Sequence, residues 1–326
     1  MENERFDVLA LGELLIDFTD SGVSAQGNPV FEANPGGAPC NVLAMLKKLG
    51  RKCAFCGKVG DDIFGRQLRD TIQSLGIDTQ SLVMNKRYPT TLAFVKNAPD
   101  GDREFSFYRH GCADVQLAIG ELAEMPDAKC FHFGSLSLTE EPVRSATRQA
   151  VSAAKQKGLL VSFDPNLRPA LWSSEALAKE QIEWGLSQCD IAKIADNEVT
   201  FLTGESDLVK GAAALRKCFP NIRLLCVTAG AEGSYAYWQN VCVFQPAFLL
   251  GGTIETTGAG DTFCACMLDF VLTHGLNSLT ADSLTQMLRF ANAAAYLVTT
   301  KKGAIRSMPD REQIEELLFR CPMTNS

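Results

Sequence analysis

An α/β fold with a mainly parallel central sheet, helices on both faces and a small β insert is the architecture this 326-residue chain predicts. Three observations carry it. Short apolar runs alternate with longer stretches whose apolar residues recur at three and four, the rhythm of βαβ units. Glycine turns open directly into helical patterns at Gly36-Gly37-Ala38 and Gly258-Ala259-Gly260. Two segments, about 14–32 and 90–110, are strand- and turn-like with no helix between their strands, as expected of hairpins added to one edge of a sheet. No Ser/Pro linker, internal repeat or low-complexity stretch divides the chain, so 1–326 reads as a single α/β domain carrying that insert.

The strands expected for the main sheet are Asp7–Leu11, Lys52–Lys58, Cys130–Gly134, Leu159–Asp164, Ile191–Ala195 and Leu224–Thr228. Each is a short apolar run of the kind buried on both faces of a parallel sheet. Between them, amphipathic spacing predicts helices at Ala38–Leu49, Gly65–Leu75, Glu141–Lys157, Leu208–Cys218 and Leu284–Val298. In the second insert segment Leu92 and Phe94 precede an Asp100-Gly101 turn, and Phe105 and Phe107 follow it.

A hydrophobic content of 46% with 21% charged residues describes an ordinary globular chain. The net charge of −7 argues against nucleic acid as the main partner. It does not oppose an anionic nucleotide, because local donors outweigh a diffuse field. No apolar run reaches the ~18 residues of a membrane span. The charged start Met1–Arg5 passes straight into a strand-like run, so no signal peptide is expected and the location predicted is cytoplasmic. Twelve cysteines then read as reduced thiols. The Cys53-x-x-Cys56 pair falls in a strand, where alternation puts the two thiols on opposite faces. Three scattered histidines cannot make a multi-histidine metal site.

The stretch Glu255-Thr256-Thr257-Gly258-Ala259-Gly260-Asp261 draws most attention. The first N–H groups of a helix lack intrahelical partners, glycines leave them uncovered, and the helix dipole favours an anion there. Asp261 among those donors is either an ordinary helix cap or a base that takes a hydroxyl proton beside a phosphate. Pro35-Gly36-Gly37-Ala38-Pro39-Cys40-Asn41 is either a loop and cap or a close approach to a polar ligand with Asn41 binding hydroxyls. Asp17, Ser162–Pro169 and Cys226–Gly233 end strand-like runs, where ligand crevices of open parallel sheets lie. A third glycine at 263 is absent and no Gly-x4-Gly-Lys-Ser/Thr occurs, so the dinucleotide and P-loop motifs are excluded.

Taken in order, these stretches resemble the ribokinase-like (PfkB) family of sugar kinases, and within it the fructokinases. The match is collinear from about Phe6 to Pro309. It runs through Gly12-Glu13-Leu14-Leu15-Ile16-Asp17, Gly36-Gly37-Ala38-Pro39-Cys40-Asn41, Gly57-Lys58-Val59-Gly60-Asp61, Arg103-Glu104-Phe105, Asp164-Pro165-Asn166-Leu167-Arg168, Phe201-Leu202-Thr203-Gly204, Thr256–Phe263 and Lys302-Gly303-Ala304. The resemblance implies a ribokinase-like fold with a β-sheet lid and an ATP-dependent ketohexose kinase converting D-fructose to fructose 6-phosphate. A kinase for 2-keto-3-deoxygluconate or ribose, or a non-catalytic sugar sensor, is the alternative.

By the same resemblance Asp261 is the general base and the Gly258, Ala259 and Gly260 amides form the anion hole, with Arg168 near the phosphates. Asp17, Gly36, Gly37, Asn41 and Asn166 bind the sugar, and Phe107 and Arg109 close over it. Lys193, Thr228, Gly230, Gly233, Asn292 and Gly303 fall on the nucleotide side. Glu198 is the acidic end of a motif that acts on Mg²⁺ through water. Glu255, Thr257 and Ser307 surround a monovalent cation site, which makes K⁺ activation an expectation. A homodimer through the β lid is also implied. The chain departs from the family pattern at Ala195, Glu255 and His110-Gly111-Cys112, the last bearing on sugar preference. Cys40 lies in the first turn of the sugar-site helix, and a helix N-terminus can lower a thiol pKa; that its oxidation or alkylation would block sugar entry is a hypothesis from that placement, not a feature of the resemblance.

Overall fold

A computed structural model of the chain describes residues 5–97, 103–122 and 125–322. β1 (Phe6–Leu11) is the first strand of the main sheet, and the chain then leaves it for two lid strands, β2 (Leu15–Val23) and β3 (Pro29–Gly36). It returns through α1 (Ala38–Lys48), β4 (Cys53–Gly60), α2 (Ile63–Ser74) and β5 (Leu82–Asn85), and leaves again for lid strands β6 (Leu92–Asn97) and β7 (Arg103–Tyr108). A regular alternation follows: β8 (Ala128–Gly134), α3 (Val143–Gln156), β9 (Leu160–Asp164), α4 (Glu175–Gln188), β10 (Ile191–Ala195), α5 (Asp196–Thr203), α6 (Leu208–Cys218) and β11 (Leu224–Thr228). The hairpin β12 (Gly233–Trp238) and β13 (Val241–Pro246) precedes three closing helices, α7 (Ala259–His274), α8 (Ala281–Thr299) and α9 (Arg311–Arg320).

The main sheet has nine strands in the order β13-β12-β11-β10-β9-β8-β1-β4-β5. From β11 to β5 every pairing is parallel, and the β12–β13 hairpin adds two antiparallel pairings at one edge. Side chains alternate across it as period-2 geometry requires. Val8 and Ala10 pack toward α1, α7 and α8, while Leu9 and Leu11 pack toward α3, α4, α5 and α6. Cys53 joins the first of these cores and Cys56 the second, so the two thiols do lie on opposite faces. Every residue of α7 from Asp261 to Asp269 is buried, consistent with a helix apolar on all sides. Among the described residues no helix is long and apolar enough to cross a membrane.

The six expected parallel strands all form. Beyond those six, the sheet gains the four-residue β5, too short to stand out in sequence, and the β12–β13 hairpin that follows the 226–233 turn. The lid sheet has the order β3-β2-β6-β7. Its β3 runs on to Gly36, beyond the expected end at residue 32, because Leu15 pairs with Gly36 and carries the ladder to the root of the lid. The Asp100-Gly101 turn lies outside the described residues. Two carboxylates pin the roots of the second lid hairpin. Asp62 caps α2 through the N–H groups of Phe64 (3.0 Å) and Gly65 (2.8 Å) and accepts the N–H of Thr90 at 2.8 Å. Asp114 accepts from Thr91 Oγ1 at 2.5 Å and from Arg109 Nε at 2.7 Å.

Candidate active site

The strand order reverses beside β1, whose sequence successor β4 lies on one side and β8 on the other. At such a point the connections leaving two neighbouring strands diverge, and a crevice opens at the carboxyl ends. Here it is a cleft of about 240 Å³ roofed by the lid. The lid contributes Leu15, Asp17, Thr19, Val95 and Phe107, the sheet ends contribute Glu13, Asn166, Arg168 and Lys193, and the starts of α1 and α7 contribute Gly37, Asn41, Gly258, Gly260 and Asp261.

Two glycine junctions build the floor. Gly258 takes the left-handed conformation (φ 79°) that starts α7, and a Cβ there would come within 2.9 Å of the Ala304 Cβ. No side chain caps this junction, and Gly258, Gly260 and Asp261 line the cleft, while the Ala259 N–H donates to the Thr256 carbonyl at 3.3 Å. At the other junction Gly36 lies directly against Asp17: a Cβ would sit 2.1 Å from Oδ2. At Gly37 a Cβ would sit 2.4 Å from the Glu13 carbonyl oxygen. A side chain at Gly36 would displace the Asp17 carboxylate itself, and one at Gly37 would strike the Glu13–Leu14 backbone.

Asp261 occupies the first turn of α7 and is 7% exposed. Its Oδ2 accepts the Asn41 amide N–H at 2.7 Å and its Oδ1 accepts that of Asn166 at 3.1 Å. Burial pushes its carboxyl above the ordinary value, while the Asn41 hydrogen bond, Lys193 and Arg168 pull it back. Asn41 Oδ1 is buried with no hydrogen-bond partner, an acceptor left for a ligand hydroxyl. Asp17 is pushed up to about 7 by burial, against the pull of Arg168. Glu13 is likewise raised to about 7 by burial, while its Oε1 accepts the Ala38 N–H at 2.9 Å. Lys193, buried beneath Gly260, pairs with Asp164 at 3.2 Å and would lie 2.9 Å from a Cβ at Gly260. Burial favours the neutral amine, but Asp164, Glu198 and Asp261 together hold the ammonium charged.

Most of the residues singled out from sequence meet in this one cleft: Asp17, Gly37, Asn41, Phe107, Asn166, Arg168, Lys193, Glu255, Thr257, Gly258, Gly260, Asp261 and Gly303 all line it. Gly36 stands behind Asp17, and Ala259 lies in the α7 first turn. Others lie elsewhere or are already engaged. Arg109 does not reach the cleft. Its guanidinium is buried against Asp114, Thr139 Oγ1 (2.8 Å) and the Leu136 carbonyl (2.8 Å), so it fastens the lid root. Glu198 accepts the Leu167 N–H on Oε1 at 2.7 Å and the Ala195 N–H on Oε2 at 2.8 Å. Asn292 donates to the Gln245 and Pro246 carbonyls at 3.1 Å each and accepts from Ser234 at 2.8 Å, which ties α8 to the edge hairpin. Thr228, Gly230 and Gly233 sit on the neighbouring end of the sheet, where Thr228 pairs with Ala195 of β10 and with Ser234 of β12. Cys40 is fully buried in the core on the α1 face, and burial raises its thiol well above the ordinary value. The expected activation at the helix start is overturned, because desolvation penalises the thiolate more than the helix dipole favours it.

For a metal, the donor set is spare. Among the described residues no group of three or more His, Cys, Asp or Glu side chains could hold an ion. Glu198 has no oxygen free of backbone donors, so it does not fit as a direct ligand. Glu255 ties its own loop to the 302–307 loop: it accepts from Thr257 Oγ1 and from the Gly303 N–H at 3.2 Å, and within the second loop Ser307 Oγ bonds the Lys302 carbonyl. Sequence reasoning passed over Glu13 and Asn34 as cleft residues. A lone carboxylate inside the apolar run Leu9–Ile16 was the available signal for Glu13.

A lidded cleft with one buried carboxylate at a bare helix N-terminus and a lysine beneath it defines a small-molecule phosphotransferase site. The chain belongs to the pfkB family of carbohydrate kinases, whose profile matches residues 5–311. It is 41% identical over 322 residues to probable fructokinase-7 of Arabidopsis thaliana, covering 95% of this chain and 92% of that one. The fructokinase of Xylella fastidiosa, solved with bound ATP, superposes with a TM-score of 0.87 at 30% identity, covering 97% and 98% of the two chains. A double-mutant fructokinase of Vibrio cholerae, solved with fructose, ADP and potassium, gives 0.85 at 27% identity, covering 97% and 99%.

Proposed function

We propose that this chain is an ATP-dependent fructokinase that phosphorylates the 6-hydroxyl of D-fructose. The observation that carries the reading is the Asp261 carboxylate, held on both oxygens at the side-chain-free, glycine-lined start of α7. Asp261 takes the proton of the sugar hydroxyl as that oxygen attacks the γ-phosphorus. The bond from the γ-phosphorus to the bridging oxygen breaks and ADP leaves. The Gly258–Gly260 amides, with Lys193 beneath them, stabilise charge on the transferring phosphoryl group. Asp17 and Asn41 Oδ1 accept sugar hydroxyls, and the lid, with Phe107 on its inner face, excludes water that would otherwise take the phosphoryl group.

Thr228, Gly230 and Gly233 mark the side on which the nucleotide base would lie. Mg²⁺ carried on the nucleotide's phosphates supplies charge neutralisation when bound, with Glu198 reaching it at most through water. K⁺ is proposed at the Glu255–Thr257–Ser307 junction, in keeping with the potassium of the Vibrio protein. We further read the chain as one α/β unit with its lid, located in the cytoplasm and paired lid to lid as a homodimer. Support for the pairing comes from Val23 and Tyr108, 70% and 62% exposed on the lid. The test is a coupled ADP-release assay with Mg-ATP and a panel of fructose, ribose and 2-keto-3-deoxygluconate. Fructose preference is expected, and Asp261→Asn should lower turnover at least ~100-fold while fructose still binds. Near-normal turnover of that variant would remove Asp261 as the base.

A further inference from the structure

We propose that Asn166 is a positioning residue for Asp261 rather than a sugar ligand: its side-chain amide holds one oxygen of the base while Asn41 holds the other, which fixes the carboxylate plane. This rests on the reading of Asp261 as the base. Two donors from separate elements, α1 and the turn after β9, leave the carboxylate little rotational freedom. With one amide N–H engaged in this way, Asn166 serves the carboxylate before any sugar arrives.

The backbone around Asn166 is an independent sign. It is one of two non-glycine residues with positive φ among the described residues (φ 45°). A conformation of that kind costs of order 1 kcal/mol and persists only where its surroundings over-determine it. Here they do. The Asn166 N–H donates to Asp164 Oδ1 at 3.2 Å, and Lys193 holds Asp164 at 3.2 Å. The Leu167 N–H donates to Glu198 at 2.7 Å, and the Pro165 carbonyl accepts the Ser135 N–H at 3.1 Å. Four elements thus clamp a strained turn whose product is an amide aimed at Asp261. The same clamp gives buried Glu198 and the Asp164–Lys193 pair a purpose that direct metal binding does not.

The groups facing Asp261 are Lys193 on β10, Asp164 and Arg168 at the end of β9, Asp17 on β2 and Cys264 on α7 itself. A substitution at Asn166 leaves all of them in place and removes one N–H donor from the ionised carboxylate. That donor favours the charged form, so its loss raises the pKa of the base. A base works deprotonated, so the acidic limb of kcat/KM moves to higher pH.

The experiment compares Asn166→Gly, which removes the amide and relieves the backbone, with Asn166→Ala, which removes the amide and keeps the strain. Both should shift the acidic limb upward by about one pH unit and lower kcat about tenfold or more, with the fructose KM within about threefold of wild type. Only Asn166→Ala should also lose thermal stability. A wild-type acidic limb with a raised fructose KM would make Asn166 a sugar ligand and overturn the proposal. If Asn166→Gly turns over too slowly to profile, the ¹³C shift of the Asp261 carboxyl, assigned by its loss in Asp261→Asn, reads the same pKa. An unchanged value there also overturns the proposal. Asp261→Asn separates the two failures. If it keeps turnover, the base reading falls. If it loses turnover while the Asn166 variants keep the wild-type limb, only the positioning role falls.

Discussion

Replacing Asp17 by asparagine should stabilise the folded chain above neutral pH while weakening sugar binding. Asp17 lies on the inner face of β2 with Glu255, Glu13 and Asp261 as like-charged neighbours, and burial carries its pKa from 3.8 to about 7 against the pull of Arg168. The folded state therefore keeps a proton that the unfolded chain has released. Stability from that proton is fully present below about pH 4 and is lost as pH rises through about 7. The span from 3.8 to about 7 corresponds to about 4 kcal/mol at most. Asp17 is only partly buried and water reaches the cleft, so screening reduces the expected effect to about 2 kcal/mol. The asparagine side chain has no proton to lose, so the variant should follow a flatter pH course. Urea unfolding of both proteins from pH 4 to pH 8.5, without ligands, would measure it. The stability difference should grow in the variant's favour by about 2 kcal/mol up to pH 7 and level off beyond. A difference independent of pH would refute the argument that burial keeps Asp17 protonated. The same variant should raise the fructose KM, the usual trade between stability and a site built of unfavourable charges.

Gly37→Ala places a Cβ 2.4 Å from the Glu13 carbonyl oxygen at φ 116°; fructose binding should fall below detection by calorimetry, with a stability loss of about 2 kcal/mol or more by urea unfolding. Asp269→Ala leaves Arg51 (2.6 Å) and Arg311 (2.9 Å) without their shared carboxylate; the part-buried Arg51 makes this a loss of about 2–3 kcal/mol in the same assay, with kcat little changed. Cys40 is fully buried and its thiol pKa is raised; mass spectrometry after iodoacetamide treatment should find it unmodified in the native protein and modified in urea, while exposed Cys218 and Cys242 react in both.

The first expectation about Cys40 failed for a reason that bears on reading sequences generally. Its place one turn into a helix was legible, but the direction of its side chain was not. A thiol at a helix start is activated when it faces the anion-binding end and inert when it faces the core. Arg109 is a like case: it stands where the family pattern puts a residue that closes over the sugar, yet Asp114, Thr139 and the Leu136 carbonyl hold its guanidinium away from the cleft. Asp17, Asn41 and Asp261 were singled out because strand ends and glycine turns opening helices are where ligand crevices of parallel sheets lie; residue type alone left each open to a turn or cap, and the collinear family resemblance supplied the roles.

The alternation of apolar runs and amphipathic helices determined the sheet and the lid, because hydrophobic period is a local property of the chain, and the family came from the ordered resemblance of motifs between about Phe6 and Pro309. Tertiary structure alone decided that Asn41 and Asn166, 125 positions apart in the chain, would meet on the two oxygens of one carboxylate. It also decided that Glu13, Asp17 and Asp261 would share a cleft that raises the pKa of each. Those outcomes depend on where strand ends converge and how much water is left between them, and neither quantity is written in any local stretch of residues.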